Sequence, residues 1–295
     1  MAKVLVTGGT GFVGPHVVQA LRARDHEVRA LVRSTERGAQ VAGLGAELVS
    51  GDVTDPASVR SAAEGCSHVV HLVSILKGRP QDFDRVMTQG TRNVVAAAKD
   101  AGVERFLLMS ALGTGEATKD VTPYFAAKWA MEQDVVRSGL PHTIFRPSFV
   151  FGRGGALPTF LKQVRYSPVV TVIGSGKQRI QPIWVEDVGE YFARAVDHAA
   201  GANRLFELGG PDVVTWDRLY QTIAKVLGKR RRLVHVPSSV ARAGARATQW
   251  APGAPLTTDQ IAMIEIGDNA VSSSDAVDTF QLPLVPLEEQ IRRVA

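Results

Sequence analysis

Cysteine is nearly absent from this chain of 295 residues: Cys66 is the only one. A single thiol excludes an internal disulfide and argues against a stapled, secreted scaffold. Cys66 has no histidine motif beside it and reads as a small buried hydrophobe. Long apolar runs are missing as well. No stretch approaches the ~20 residues of a membrane-spanning helix. The apolar start, "MAKVLVTGG", is too short for a secretory signal and ends in glycines. These absences predict a cytoplasmic protein whose only membrane contact would be peripheral. No His, Cys, Asp and Glu cluster has metal-ligand spacing, so no metal is expected. Aromatic residues, at 6%, do not interleave with basic ones, and no nucleic-acid motif is found, so nucleic-acid binding is not expected.

What is present is ordinary for a globular enzyme-sized chain. Hydrophobic residues make up 45% and charged residues 21%. A chain of this length buries a core without staples. The net charge of +5 is partly local, with four cations in "KRRR" at Lys229–Arg232. A solvated loop is the plain reading of that run. The sharper one is a weak contact between the basic C-terminal region and an anionic membrane or a membrane-bound complex.

Along the chain, "KVLVT" (Lys3–Thr7), "HEVRALVRS", "AELVSGDVTD", "HVVHLVS", "RFLLMSA" and "HTIFRPS" read as strands, and helical patterns stand between them. Most of these strands are apolar on both faces, as a parallel sheet covered by helices requires. Residues 1–155 therefore predict an α/β fold, a doubly wound parallel Rossmann sheet, with later strand and helix returns near 178–210. Residues 156–295 predict a smaller, mostly helical substrate-side cap. Within it, a helix is expected from about Ser239 to Trp250, with Ser238 as its cap.

"VTGGTGFVG" follows the first strand and opens the first helix. Gly8, Gly11 and Gly14 fit one register of a dinucleotide-binding loop, and Gly9, Gly11 and Gly14 another. Glycines there permit a tight turn and a close backbone approach to a pyrophosphate, whose charge the helix start holds. No G-K-[ST] follows, which excludes a mononucleotide P-loop. An NAD-binding sheet places an acid about twenty residues past the first glycine. Here "ALVRST" (Ala30–Thr35) has none, and Arg33 stands at the strand tip. An arginine suits the 2′-phosphate, so NADP(H) is favoured over NAD(H).

In "TPYFAAKWAMEQ", Tyr124 and Lys128 are four residues apart on a predicted helix and share one face. An ammonium beside a phenol lowers its pKa and makes it a usable proton donor. By spacing alone the pair is equally a packed tyrosine beside a lysine.

Together "TGGTGFVG" (7–14), "GDVTD" (51–55), "YFAAK" (124–128) and "RPSFVFG" (146–152) resemble the extended and atypical branches of the short-chain dehydrogenase/reductase superfamily. "IWVEDV" (183–188) and "FELGGP" (206–211) fit as well. The tail "APLTTDQIAMIEIGDN" (254–269) is similar to bacterial relatives of the 39-kDa accessory subunit (alpha-subcomplex subunit 9) of respiratory complex I. The resemblance implies that Thr7, Gly8, Thr10, Gly11, Phe12, Val13 and Gly14 hold the cofactor phosphates. It implies that Asp52 and Val53 hold the adenine, that Leu72 and Val73 line the cofactor, and that Pro147 and Phe149 lie beside the nicotinamide. Lys128 would bond the nicotinamide ribose and lower the pKa of Tyr124, the acid that protonates a carbonyl.

One departure stands out. The family position for a second hydroxyl after the fifth strand is Ala111. Ser110 either replaces it or only satisfies backbone groups at the strand end. His71, on the fourth strand, reads as a satisfied core histidine rather than a base. Two functions stay open: an NADP(H)-dependent oxidoreductase acting on a small molecule, or a non-catalytic NADP(H)-binding subunit or sensor. A nucleotide-sugar epimerase or dehydratase is a third. The substrate and the oligomeric state are not legible.

Overall fold

A computed structural model describes residues 1–248 and 257–295. β1 (Lys3–Thr7) leads to α1 (Gly14–Arg22), β2 (Glu27–Val32) to α2 (Thr35–Gly43) and β3 (Glu47–Ser50) to α3 (Pro56–Ala63). β4 (His68–His71) precedes a short α4 (Pro80–Phe83), a π-helical stretch (Asp84–Gln89) and α5 (Gly90–Asp100). β5 (Arg105–Met109), α6 (Pro123–Arg137) and β6 (His142–Pro147) follow. Next come β7 (Val150–Phe151), α7 (Leu157–Tyr166), β8 (Val169–Ile173), β9 (Arg179–Ile180) and β10 (Ile183–Trp184). They precede α8 (Val185–Asp197), β11 (Arg204–Leu208), β12 (Val214–Thr215), α9 (Trp216–Val226) and β13 (Arg232–Val236). The last helices are α10 (Ser238–Thr248), α11 (Thr258–Glu265), α12 (Asp275–Phe280) and α13 (Leu287–Val294).

The chain divides into two compact units. The first holds Met1–Pro147, Val185–Leu208 and Ser272–Pro283. Its seven strands run in the order β11-β6-β5-β4-β1-β2-β3, and every neighbouring pair is parallel. The apolar runs of β1 and β5 are buried because helices cover both faces. The later segments join this unit through aromatic packing. Phe145 of β6 lies 4.9 Å from Phe192 of α8, 5.9 Å from Phe206 of β11 and 5.8 Å from Phe280 of α12, centroid to centroid. In this division the first unit runs to Pro147 and resumes at Val185. Sheet order reverses between β1 and β4, the switch point where open α/β sheets bind ligands at their carboxyl ends.

The second unit holds Ser148–Trp184, Gly209–Val271 and Leu284–Ala295. Its helices α7, α9, α10, α11 and α13 stand beside the two-stranded pairs β7–β10, β8–β13 and β9–β12. The run "PVVTVIG" gives β8, whereas β9 and β12 are two residues each, too short for periodicity to reveal. Trp216 anchors the aromatic packing here, 5.3 Å from Phe149 and 5.8 Å from Phe160. α10 begins at Ser238 itself, so Ser238 is its first residue and not its cap. The expected end at Trp250 lies outside the described residues. No described helix is long and apolar enough to cross a membrane.

Candidate functional site

β1 ends at Thr7, and a turn closed by Gly11 N–H donating to the Gly8 carbonyl, at 3.0 Å, carries the chain towards α1. Gly8 has φ +78°, and a Cβ there would stand 2.9 Å from the Leu72 carbonyl carbon and the Val73 nitrogen. A Cβ on Gly14 would stand 2.2 Å from the Gly9 carbonyl oxygen. Only glycine fits either place, and the loop is pressed against the chain that leaves β4. α1 starts at Val13 with no side-chain cap and no acid in its first turn. Pro15 has no N–H and the His16 N–H donates to the Val13 carbonyl at 3.1 Å, so an anion would be held by the N–H groups that precede Pro15 and by the positive dipole end. Thr10 and Gly11 are exposed, Phe12 is half-buried, and Val13 and Gly14 are buried. This Cβ-free cradle and its donor set fit a dinucleotide pyrophosphate.

Thr7 and His71 face each other in the β1–β4 register. Thr7 Oγ1 is 2.6 Å from His71 Nδ1, and His71 Nε2 is 2.9 Å from Thr91 Oγ1. The Thr91 hydroxyl donates to the Met87 carbonyl at 2.6 Å. His71 therefore donates from Nε2 and accepts from Thr7 at Nδ1. Burial, reinforced by the charge of Lys128, pushes its pKa down to about 3. His71 is a neutral core residue that ties the end of β1 to the π-helical turn.

Arg33 follows β2, is exposed, and makes no ion pair or side-chain hydrogen bond among the described residues. Ser34 beside it caps α2 by accepting from Arg37 N–H. Asp52 holds the turn after β3: its Oδ1 accepts from Thr54 N–H and from the Thr54 hydroxyl, both at 2.9 Å. Val53 is buried, and its carbonyl accepts from Asn93 at 2.9 Å. Leu72 is buried, and Val73 packs half-buried on the core.

α6 opens on Thr122, whose hydroxyl accepts from Phe125 N–H at 3.2 Å. Tyr124, Lys128 and Glu132 recur along one stripe of the helix. Lys128 is 1% exposed and donates to the Met109 carbonyl at 2.7 Å. Its Nζ lies 5.8 Å from the centre of the Tyr124 ring. Glu132, 2% exposed, is held by a bidentate pair with Arg146 at 2.8 and 2.6 Å. Burial pulls the Lys128 pKa down to about 7, and Glu132 opposes that pull. The Tyr124 phenol is pushed up to about 12 by burial, while a hydrogen bond with Ser74 draws it the other way. The ammonium points to the end of β5, and burial dominates at the phenol.

Ser110, at the end of β5, is 1% exposed; its N–H donates to the Phe145 carbonyl at 2.7 Å. Its hydroxyl meets that of Thr114 at 3.4 Å, a long contact. Thr114 is buried and is turned back by a bond from its N–H to the Ala111 carbonyl. Pro147 ends β6 in the first unit, whereas Phe149 belongs to the second, where its ring rests on Trp216. Ser74, Thr114 and the Glu132–Arg146 pair were not singled out in the sequence. Glu132 alone carried a local signal, four residues beyond Lys128. Among the described residues no group of three or more His, Cys, Asp or Glu side chains could hold a metal.

The profile of an NAD(P)H-binding family matches residues 8–198. A ceramide reductase of Caulobacter vibrioides is 33% identical over 252 residues, covering 84% of this chain and 78% of that protein. The mitochondrial NADH dehydrogenase [ubiquinone] 1 alpha subcomplex subunit 9 of Arabidopsis thaliana is 25% identical over 300 residues, 95% of this chain and 73% of its own. Among solved structures, an Escherichia coli NADPH-dependent quinone oxidoreductase complexed with NADPH superposes with a TM-score of 0.82. It is 20% identical, with 99% of both chains covered, a likeness of fold. The match over residues 8–198 and the 33% identity to a reductase agree with the glycine cradle. The chain belongs to the NAD(P)H-binding, extended short-chain dehydrogenase/reductase-like family.

Proposed function

We propose that this protein is an NADP(H)-dependent oxidoreductase that reduces a carbonyl on a small-molecule substrate, with Tyr124 as the proton donor. The observation that carries this reading is the stripe of α6, where Tyr124 stands one turn from a buried lysine in the unit that holds the glycine cradle. Bound NADP(H) would supply the hydride to the carbonyl carbon. Tyr124, held in its protonated form at neutral pH, gives its proton to the carbonyl oxygen as charge develops there. Lys128 has three donors and uses one on Met109, so two remain for the nicotinamide ribose. The Ser110–Thr114 hydroxyl pair polarises the carbonyl in place of the hydroxyl missing at Ala111. The Gly8–Gly14 loop holds the pyrophosphate, Asp52 and Val53 the adenine, Leu72 and Val73 the cofactor wall, and Pro147 the nicotinamide side. Arg33, exposed and unpaired, takes the 2′-phosphate and sets the preference for NADP(H). The family relationship to a ceramide reductase supports a reductive role.

NADPH oxidation followed by absorbance against a panel of ketones, aldehydes and quinones tests the proposal. Turnover of at least one is expected. Tight NADPH binding with no turnover of any would favour the second reading, a cofactor-holding subunit or sensor. That reading has one observation of its own: the Lys128 ammonium is directed at the Met109 carbonyl. The basic C-terminal region is proposed separately to make a weak contact with a membrane or a membrane-bound complex.

A further inference from the structure

No step of the proposed reaction uses the basic run Lys229–Arg232. In the second unit this run leaves the end of α9 and enters β13. A groove of about 290 Å³ opens there, with Tyr220, Ala224, Lys225, Lys229, Arg230 and Arg231 in its wall. Two of these cations are already engaged. Lys225 pairs with Glu288 at 2.5 Å. The Arg231 guanidinium donates to the Val164 and Arg165 carbonyls, at 2.6 and 3.1 Å, and so closes the C-terminal end of α7. Lys229, Arg230, Arg232 and Arg165 form no ion pair among the described residues.

An apolar row adjoins these free cations. Along β8 the burial alternates, with Val169 and Thr171 outward and Val170 and Val172 inward. The parallel register sets Arg232 beside Val169 and Val234 beside Thr171, on the outward face. Tyr166, the last residue of α7, is 77% exposed, and Val169 and Val234 are each 39% exposed. A free phosphate would use the cations and leave this row without a partner. An anionic bilayer uses both: cations meet the headgroups while an aromatic ring and branched side chains enter the interface.

We propose that this face of the second unit, formed by the end of α7, the outward side of the β8–β13 pair and the Lys229–Arg232 run that joins α9 to β13, docks on the surface of an anionic lipid bilayer. The proposal rests on the reading that the basic C-terminal region contacts a membrane, and it assigns that contact to this face rather than to α10. The attraction is electrostatic and falls with salt.

Cosedimentation of the full chain with phosphatidylcholine vesicles, with and without phosphatidylglycerol, at low and high salt, tests it. Binding is expected with phosphatidylglycerol at low salt only. The triple variant Lys229→Gln, Arg230→Gln, Arg232→Gln should weaken it by about 100-fold, from a roughly fivefold effect per cation. Tyr166→Ala should weaken it severalfold, and the pair Arg242→Gln, Arg246→Gln on α10 should leave it unchanged. Thermal melting and NADPH titration should be the same in every variant, which excludes misfolding. Binding that survives the triple variant but is lost in the α10 pair would overturn this face and spare the membrane reading. No binding to any vesicle would overturn both. Binding of glycerol phosphate to the groove without vesicle binding would make it a soluble-anion site and overturn the proposal.

Discussion

α1 opens on Val13 with no side-chain cap and no acid in its first turn, whereas α6 opens on Thr122, whose hydroxyl closes the first turn at 3.2 Å. Both helices belong to the first unit and both carry proposed site residues. An open helix start leaves backbone donors unsatisfied, and a phosphate can satisfy them. A closed start has no such vacancy; it fixes the angle at which the following residues leave, here Tyr124 and, one turn on, Lys128. The difference teaches that α1 is built to bind and α6 to hold. Changes at α1 should therefore be read out in affinity, and changes along α6 in stability and proton chemistry.

The largest expected effect tests the holding side. Burial keeps Lys128 near 7, below its ordinary 10.5. Between those values the unfolded chain binds a proton that the folded chain has released. Stability then rises with pH across that window, with a slope of at most about 1.4 kcal/mol per pH unit from this group. Lys128→Met should flatten the slope, as measured by urea unfolding at a series of pH values. An unchanged slope would mean that the buried ammonium does not titrate there. On the binding side, Gly14→Ala forces a Cβ to within 2.2 Å of the Gly9 carbonyl oxygen. Overpacking of this kind costs roughly 1–3 kcal/mol of stability. The loop must also move, so calorimetric titration should show NADPH affinity lost well beyond what the stability change explains.

Arg33→Ala should reduce NADPH affinity by about 1.5–3 kcal/mol, the range of a charge-assisted phosphate contact, and leave NADH affinity unchanged. Equal affinities for the two cofactors in the unaltered protein would remove Arg33 from the site. The smallest effect sharpens the comparison of helix starts. Thr122→Ala should cost about 1 kcal/mol of stability in denaturant unfolding, with NADPH affinity untouched. A loss of affinity there would erase the distinction between the two helix starts.

The parts legible in the sequence are those written in local pattern. The β1 run, the glycine spacing and the alternation of strands and helices led to the parallel sheet. Tyr124 and Lys128 could be placed on one helix face by spacing alone. What the spacing could not carry was burial. Local pattern does not show that the Lys128 ammonium ends on the Met109 carbonyl, nineteen residues earlier. Nor does it show that Ser74 reaches the phenol or that Arg146 pins Glu132. These are long-range pairings, and they oppose the shifts that burial imposes on Tyr124 and Lys128. The pairing of the short strands in the second unit escaped for a related reason. β9, β10 and β12 are two residues each and are defined by their partners. Thr114 escaped because its hydroxyl comes back to Ser110 through a turn rather than along a strand.

The most direct test is a single turnover. The protein is loaded with NADPH, mixed with a carbonyl substrate found by the panel, and followed by loss of the dihydronicotinamide absorbance, in parallel with Tyr124→Phe. The account predicts that the variant binds NADPH as tightly as the unaltered protein but oxidises it roughly 10²–10⁴-fold more slowly, the range for a lost general acid. Oxidation by Tyr124→Phe at the unaltered rate would show that the proton comes from elsewhere and would contradict it.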